Sequence, residues 1–185
     1  MSLESDVAQV LRSHPADRIS FKVENIAIDR TQMDLVAKAI EKQDISVVTG
    51  STGPKLGAAY SSFVGRRFDA GEKKLIGSIT RGSESVVRTP LGKASIFHES
   101  VHALMDVKGT KVRSMQDDEV VAYLADALYL RANHTSVSGG ALEMAIYNAA
   151  FAIVDARHML SKHGVLKWTD CDALRDAIKA HPAYR

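Results

Sequence analysis

Cysteine is almost absent from this chain: Cys171 stands alone among 185 residues. One thiol excludes a disulfide framework and any cysteine-rich zinc site, and it suits a reducing compartment. Long apolar runs are missing as well. No stretch reaches the roughly 18 residues that a membrane-spanning helix needs, so no membrane partner is expected. The opening residues, Met1 to Asp6, carry Glu4 and Asp6 and no apolar segment. They do not read as a secretory leader, and the expected location is the cytoplasm. The net charge of +2 is too small to point to nucleic acid. Repeats and low-complexity tracts are also missing. What is present is the ordinary globular mixture, 45% hydrophobic and 25% charged. The length predicts one domain over residues 1–185, burying about 70% of its unfolded surface without staples.

The pattern changes near Pro90. Residues 1–90 read as α+β: a short helix over Glu4 to Ser13, extended chain through Phe21 to Ile28, and a helix from a Thr31 cap to Lys42. Strands are predicted at Ile45 to Thr49, Ala58 to Val64, Lys74 to Ile79 and Ser85 to Arg88, with turns at Gly65, Gly71 and Gly82. Gly50 to Pro54 is a loop, and the spacing up to Lys55 does not make a P-loop. Lys55 to Lys93 holds eight basic against three acidic residues, read as a solvated strand surface. Residues 91–185 are helical, over Leu91 to Val107 with Gly109 as the stop, Asp117 to Arg131, Ala141 to about His163, and Thr169 to Ala180 with a box-like start at Thr169 and Asp172. Met144 to Val154 reads as a buried core helix, with Asn148 and Asp155 turned toward a site. Cys171 reads as a packed small residue. The fold expected is a small, mainly antiparallel sheet beside a helical layer.

One short motif carries chemistry: His98-Glu99-Ser100-Val101-His102. On a helix, residues four apart stack on one face, so two imidazoles reach one ion at about 2.0–2.1 Å. Glu99 is rotated about 100° from His98, beside the ion rather than on it, where a carboxylate takes a proton from a water on the metal. A catalytic zinc usually has a third protein ligand. Lys108 and Met105 stand where the metzincin pattern needs histidine and glycine, which excludes that class. An acid on the next helix remains, and Asp117-Asp118-Glu119 open it, with Asp117 read as the capping residue.

The run His98-Glu99-Ser100-Val101-His102-Ala103-Leu104-Met105-Asp106 resembles the active helix of gluzincin, or thermolysin-like, metallopeptidases, and the resemblance covers about Ser85 to Leu130. It implies Glu119 as the third zinc ligand. It implies a contact from Asp118 to a ligand imidazole, and a supporting role for Asp106. The family's acid four residues after the ligand Glu is replaced here by Tyr123, and Asp126 is the possible substitute.

The implied activity is zinc-dependent hydrolysis of peptide bonds, with Glu99 as base and a peptide or protein as substrate. The strand near Ser85 to Arg88 is expected to pair with substrate. Tyr123 is the first choice for the donor to the oxyanion, ahead of Tyr147, His134 and His158. The alternative is a zincin-like module that binds a partner without catalysis, or a toxin or effector peptidase of narrow specificity. Neither substrate nor oligomeric state is legible.

Overall fold

The computed structural model describes residues 2–52, 58–64, 75–159 and 164–184. The sequence readings at Gly53 to Lys55, Gly65, Gly71, Lys74 and His163 lie outside these residues.

The fold is α+β. Helix α1 (Leu3–Arg12) starts on Ser2, whose hydroxyl accepts from Ser5 N–H, and it buries Val7, Ala8, Val10 and Leu11. Strands β1 (Phe21–Val23) and β2 (Ile26–Ile28) form a hairpin, closed by Glu24 in the left-handed region. Helix α2 (Arg30–Glu41) is capped by Asp29, which accepts from Gln32 N–H, and not by Thr31. The carboxylate one residue before the helix satisfies a free N–H, and Thr31 already lies inside the first turn. Strands β3 (Ile45–Thr49), β4 (Ala58–Ser62) and β5 (Gly77–Arg81) make one sheet in the order β3-β5-β4, parallel on one side and antiparallel on the other.

The expected strand at Ser85 to Arg88 is instead a 3-10 turn, Glu84–Arg88. Val86 and Val87 favour extended chain, but the turn feeds directly into Thr89-Pro90. Helix α3 (Pro90–Lys108) begins there, with Thr89 Oγ1 accepting from Gly92 N–H at 3.0 Å. At Gly92 a Cβ would lie 2.2 Å from the Val86 carbonyl oxygen, so only glycine lets turn and helix meet. The left-handed residue Gly109 stops α3.

Helix α4 (Met115–Ala132) is capped by Ser114 and packs on α3. Helix α5 (Ala141–Ala156) is shorter than expected and lies at the surface: Ile146, Ala150, Phe151 and Val154 are buried, while Leu142 is exposed. Asn148 is exposed, and Asp155 pairs with Arg131 on the outside. Neither faces a site.

A strand the sequence pattern missed, β6 (Gly164–Leu166), joins β1 in parallel and completes a second sheet, β2-β1-β6. Helix α6 (Asp172–Ala180) follows a 3-10 turn at Trp168–Cys171. The box-like start at Thr169 is not formed; Asp170 accepts from Lys167 N–H instead.

The expected sheet is thus two small mixed sheets beside the helical layer. One apolar cluster joins α1, α2, both sheets, α3, α4 and α6. Cys171 is buried in it, and burial pushes its thiol up to about 11. Arg81, counted with the basic surface, is in fact 1% exposed, and its Nε and Nη1 have no hydrogen-bond partner among the described residues. No helix among the described residues is long and apolar enough to cross a membrane.

Candidate metal centre

α3 and α4 run antiparallel, so His98 faces Glu119 and Asp126, while His102 faces Asp118 and Glu119. The two rings present the same edges. Nε2 of His98 is 3.3 Å from Glu119 Oε2, and Nε2 of His102 is 3.7 Å from Glu119 Oε1. One ligand atom from each of the three residues lies within 4.8 Å of the others. The opposite ring edges meet carboxylates: His102 Nδ1 is 2.9 Å from Asp118 Oδ2, and His98 Nδ1 is 3.9 Å from Asp126 Oδ2.

The donor set suits zinc. Two imidazole nitrogens and one carboxylate are the protein ligands of an open catalytic site, and the carboxylate behind His102 is close enough to fix its tautomer. Glu119 Oε2 is buried and, among the described residues, makes no well-aligned hydrogen bond; its charge is met by the His98 ring at 3.3 Å when that ring is protonated, and otherwise calls for another cation.

Glu99 is 6% exposed and lies off the ligand face. Its Oε2 accepts from the main-chain N–H of Tyr60 at 2.8 Å. Asp106 touches no ligand; it accepts from the Tyr60 hydroxyl at 2.8 Å. Asp117 is not the cap. It is buried and accepts from Arg175 Nε at 2.7 Å, while Ser114 caps α4.

Tyr123 stands edge-on to the His98 ring, with centroids 4.7 Å apart, and its hydroxyl meets that of Tyr184 at 2.8 Å. Tyr147 donates to Asp126 at 2.7 Å. His134 and His158 are exposed, outside the cluster. Tyr184 was not singled out from sequence, yet it lines the metal cleft beside Glu119. No local signal marks it: it lies in a 3-10 turn, Pro182–Tyr184, held by Gln116 Nε2 donating to its carbonyl.

Two cavities of about 580 Å³ meet the cluster. One is lined by His98, His102 and Glu119, with Tyr60, Asp106 and Tyr184 on its wall. The other lies beyond His98 and Glu99, between α3, α4 and the start of α5, with Tyr123 and Asp126 inside and Ser138, Gly139 and Gly140 at its mouth. Ser85 and Val86 line that second cavity as a turn, not as a strand edge.

The charges are tightly coupled. Burial works against the charged His98 ring, but contact with Glu119 and the charges of Glu99, Glu119 and Asp126 outweigh it and push its pKa up to about 9. His102 is also raised: burial opposes its charge, and Asp118 more than compensates. Burial raises Glu99, against the pull of His98, His102 and the Tyr60 N–H. Burial likewise pushes Asp126 up to about 6. The Tyr123 and Tyr184 phenols are both raised, first by burial.

No protein-family model, no curated protein and no solved structure matches this chain.

Proposed function

We propose that this protein is a zinc-dependent metallopeptidase with a gluzincin-like site: His98, His102 and Glu119 as ligands and Glu99 as general base. The observation that carries the reading is the convergence of two imidazole Nε2 atoms on one half-buried carboxylate. Zinc held by these three residues would supply Lewis acidity toward a water and a substrate carbonyl. Asp118 holds His102 with Nδ1 protonated and Nε2 free, while Asp126, 3.9 Å from His98 Nδ1, acts on that ring through its charge alone. Glu99 takes the proton of the attacking water and passes it to the leaving amine. Tyr123 and Tyr184 share one hydrogen bond between two hydroxyls, so one O–H stays free to donate to substrate oxygen. The proposed substrate is a peptide or protein segment.

Zinc content and one variant test the reading together. Protein purified without chelator is expected to carry about one zinc per chain and to cleave members of a quenched peptide library. Glu99→Gln is expected to keep zinc and lose at least about 100-fold in turnover. A chain that takes up no zinc even from excess ends the proposal. Zinc uptake with no cleavage by the wild type points to a partner-binding module instead.

A further inference from the structure

Among the described residues strand β4 is the edge of its sheet, and its outward N–H groups at Ala58 and Tyr60 do not face solvent. They are spent on α3. Ala58 N–H donates to Ser95 Oγ at 3.0 Å, and Tyr60 N–H donates to Glu99 Oε2 at 2.8 Å. The two strand residues are two apart and so point off the same edge. The two helix residues are four apart and so share a face. A third tie extends the register: the Tyr60 hydroxyl donates to Asp106 Oδ2 at 2.8 Å, further along α3. The Tyr60 ring passes over Gly77 of β5, where a Cβ would sit 2.1 Å from its hydroxyl. Residue 60 is therefore fixed through its main chain, its ring and its hydroxyl.

Glu99 needs such a fixture. Its neighbour His98 faces Glu119 and Asp126 of α4, and a free carboxylate beside an ion is drawn onto it as a ligand. A ligand carboxylate no longer acts as a base. From these contacts we infer that the main-chain N–H of Tyr60 is the positioning group of the general base: it ties Glu99 Oε2 to the sheet, keeps Glu99 off the metal and leaves Oε1 as the proton acceptor. The inference rests on the hydrolase reading for its consequence, though not for the contact itself. It also assigns β4 a use other than substrate pairing, since an extended peptide would need the N–H groups at 58 and 60 that α3 already holds.

Two measurements test it. Amide hydrogen exchange at residue 60 reads the contact without turnover. In zinc-loaded protein the residue 60 amide is expected to be protected, to stay protected in Glu99→Gln, whose amide oxygen still accepts, and to exchange at least about tenfold faster in Glu99→Ala. Equal exchange in the wild type and Glu99→Ala overturns the contact. The second measurement replaces the amide at residue 60 by an ester that keeps the tyrosine side chain. Zinc stoichiometry and KM are expected to hold, while kcat falls about tenfold or more, because the base is misplaced rather than removed. An unchanged kcat overturns the positioning role and leaves the hydrolase reading standing. A wild type that binds no zinc overturns the hydrolase reading, and the role of the base goes with it.

Discussion

The carboxylate of Asp118 lies 2.9 Å from Nδ1 of His102, on the ring edge opposite Glu119. A proton held at Nδ1 leaves the Nε2 lone pair aimed at the cluster. The two neighbouring acids thus do different work, although one position of helix register separates them. Removal of a carboxylate behind an imidazole costs about 10–100-fold in metal affinity. Asp118→Ala is therefore expected to weaken zinc within that range, and Glu119→Ala to lose it outright. Chelator competition on both variants separates the roles. Zinc retained by Glu119→Ala and lost by Asp118→Ala shifts the ligand by one residue.

Tyr184 reaches the cleft from the far end of the chain and meets Tyr123 hydroxyl to hydroxyl. Tyr184→Phe is expected to lower kcat about 100-fold, as the loss of an oxyanion donor does, with zinc affinity unchanged. Tyr123→Phe leaves the Tyr184 hydroxyl free and the ring against His98, so its loss is expected to be smaller. Steady-state kinetics with zinc titration on both variants checks this. A larger loss in Tyr123→Phe makes Tyr123 the donor.

Local signals made the helix of the motif readable. The change of pattern near Pro90 and the stop at Gly109 mark its ends, and the spacing of His98 and His102 marks its face; the Thr89 cap emerges only from the structure. The acids opening α4 were readable as a group because the turn after Gly109 is short enough to fold α4 back on α3. What stayed hidden depends on distant pairing. β6 pairs with β1 from the opposite end of the chain, and three residues carry no strand pattern of their own. The Tyr60 contact to Glu99 spans 39 positions, and a main-chain donor has no residue signature. At Ser85 to Arg88 the valines favoured a strand, but the close approach at Gly92 requires a turn. Asp117 looked like a cap because acids favour helix starts, and its true partner, Arg175, lies 58 positions away.

That partner sets the expected effect of changing Asp117. Its side chain is 6% exposed, against 17% for Arg175, which also contacts Asp172 and the Trp168 carbonyl. Asp117→Ala strips a charged hydrogen bond from a nearly buried guanidinium and is expected to cost about 1.5–3 kcal/mol. Zinc affinity is expected to stay as it was, since Asp117 touches no ligand. Urea unfolding of the metal-free variant measures the first effect and chelator competition the second. Unchanged stability, or zinc lost with the fold intact, contradicts the assignment.

Proton release couples the metal centre to pH. The folded pKa of His98 is raised to about 9, above the unfolded value of about 6.5. A cation with a raised pKa stabilises the fold fully below its unfolded pKa, and that contribution is lost as pH rises through the folded one. The metal-free protein is thus expected to lose stability between about pH 6.5 and about pH 9. Asp126 acts in the same direction at lower pH. Its folded pKa of about 6 exceeds the usual value of about 4, so the native state holds the extra proton and stability falls as Asp126 ionises across that window. Zinc reverses the slope for His98, because binding needs the neutral ring. Zinc affinity is therefore expected to rise by about tenfold per pH unit for that one proton, levelling off near pH 9. Urea midpoints of chelator-treated protein and competition titrations from pH 6 to 9.5 measure both trends. A zinc affinity that is flat across the range would mean that His98 carries no extra proton in the folded chain, and that its Nε2 is already free to bind.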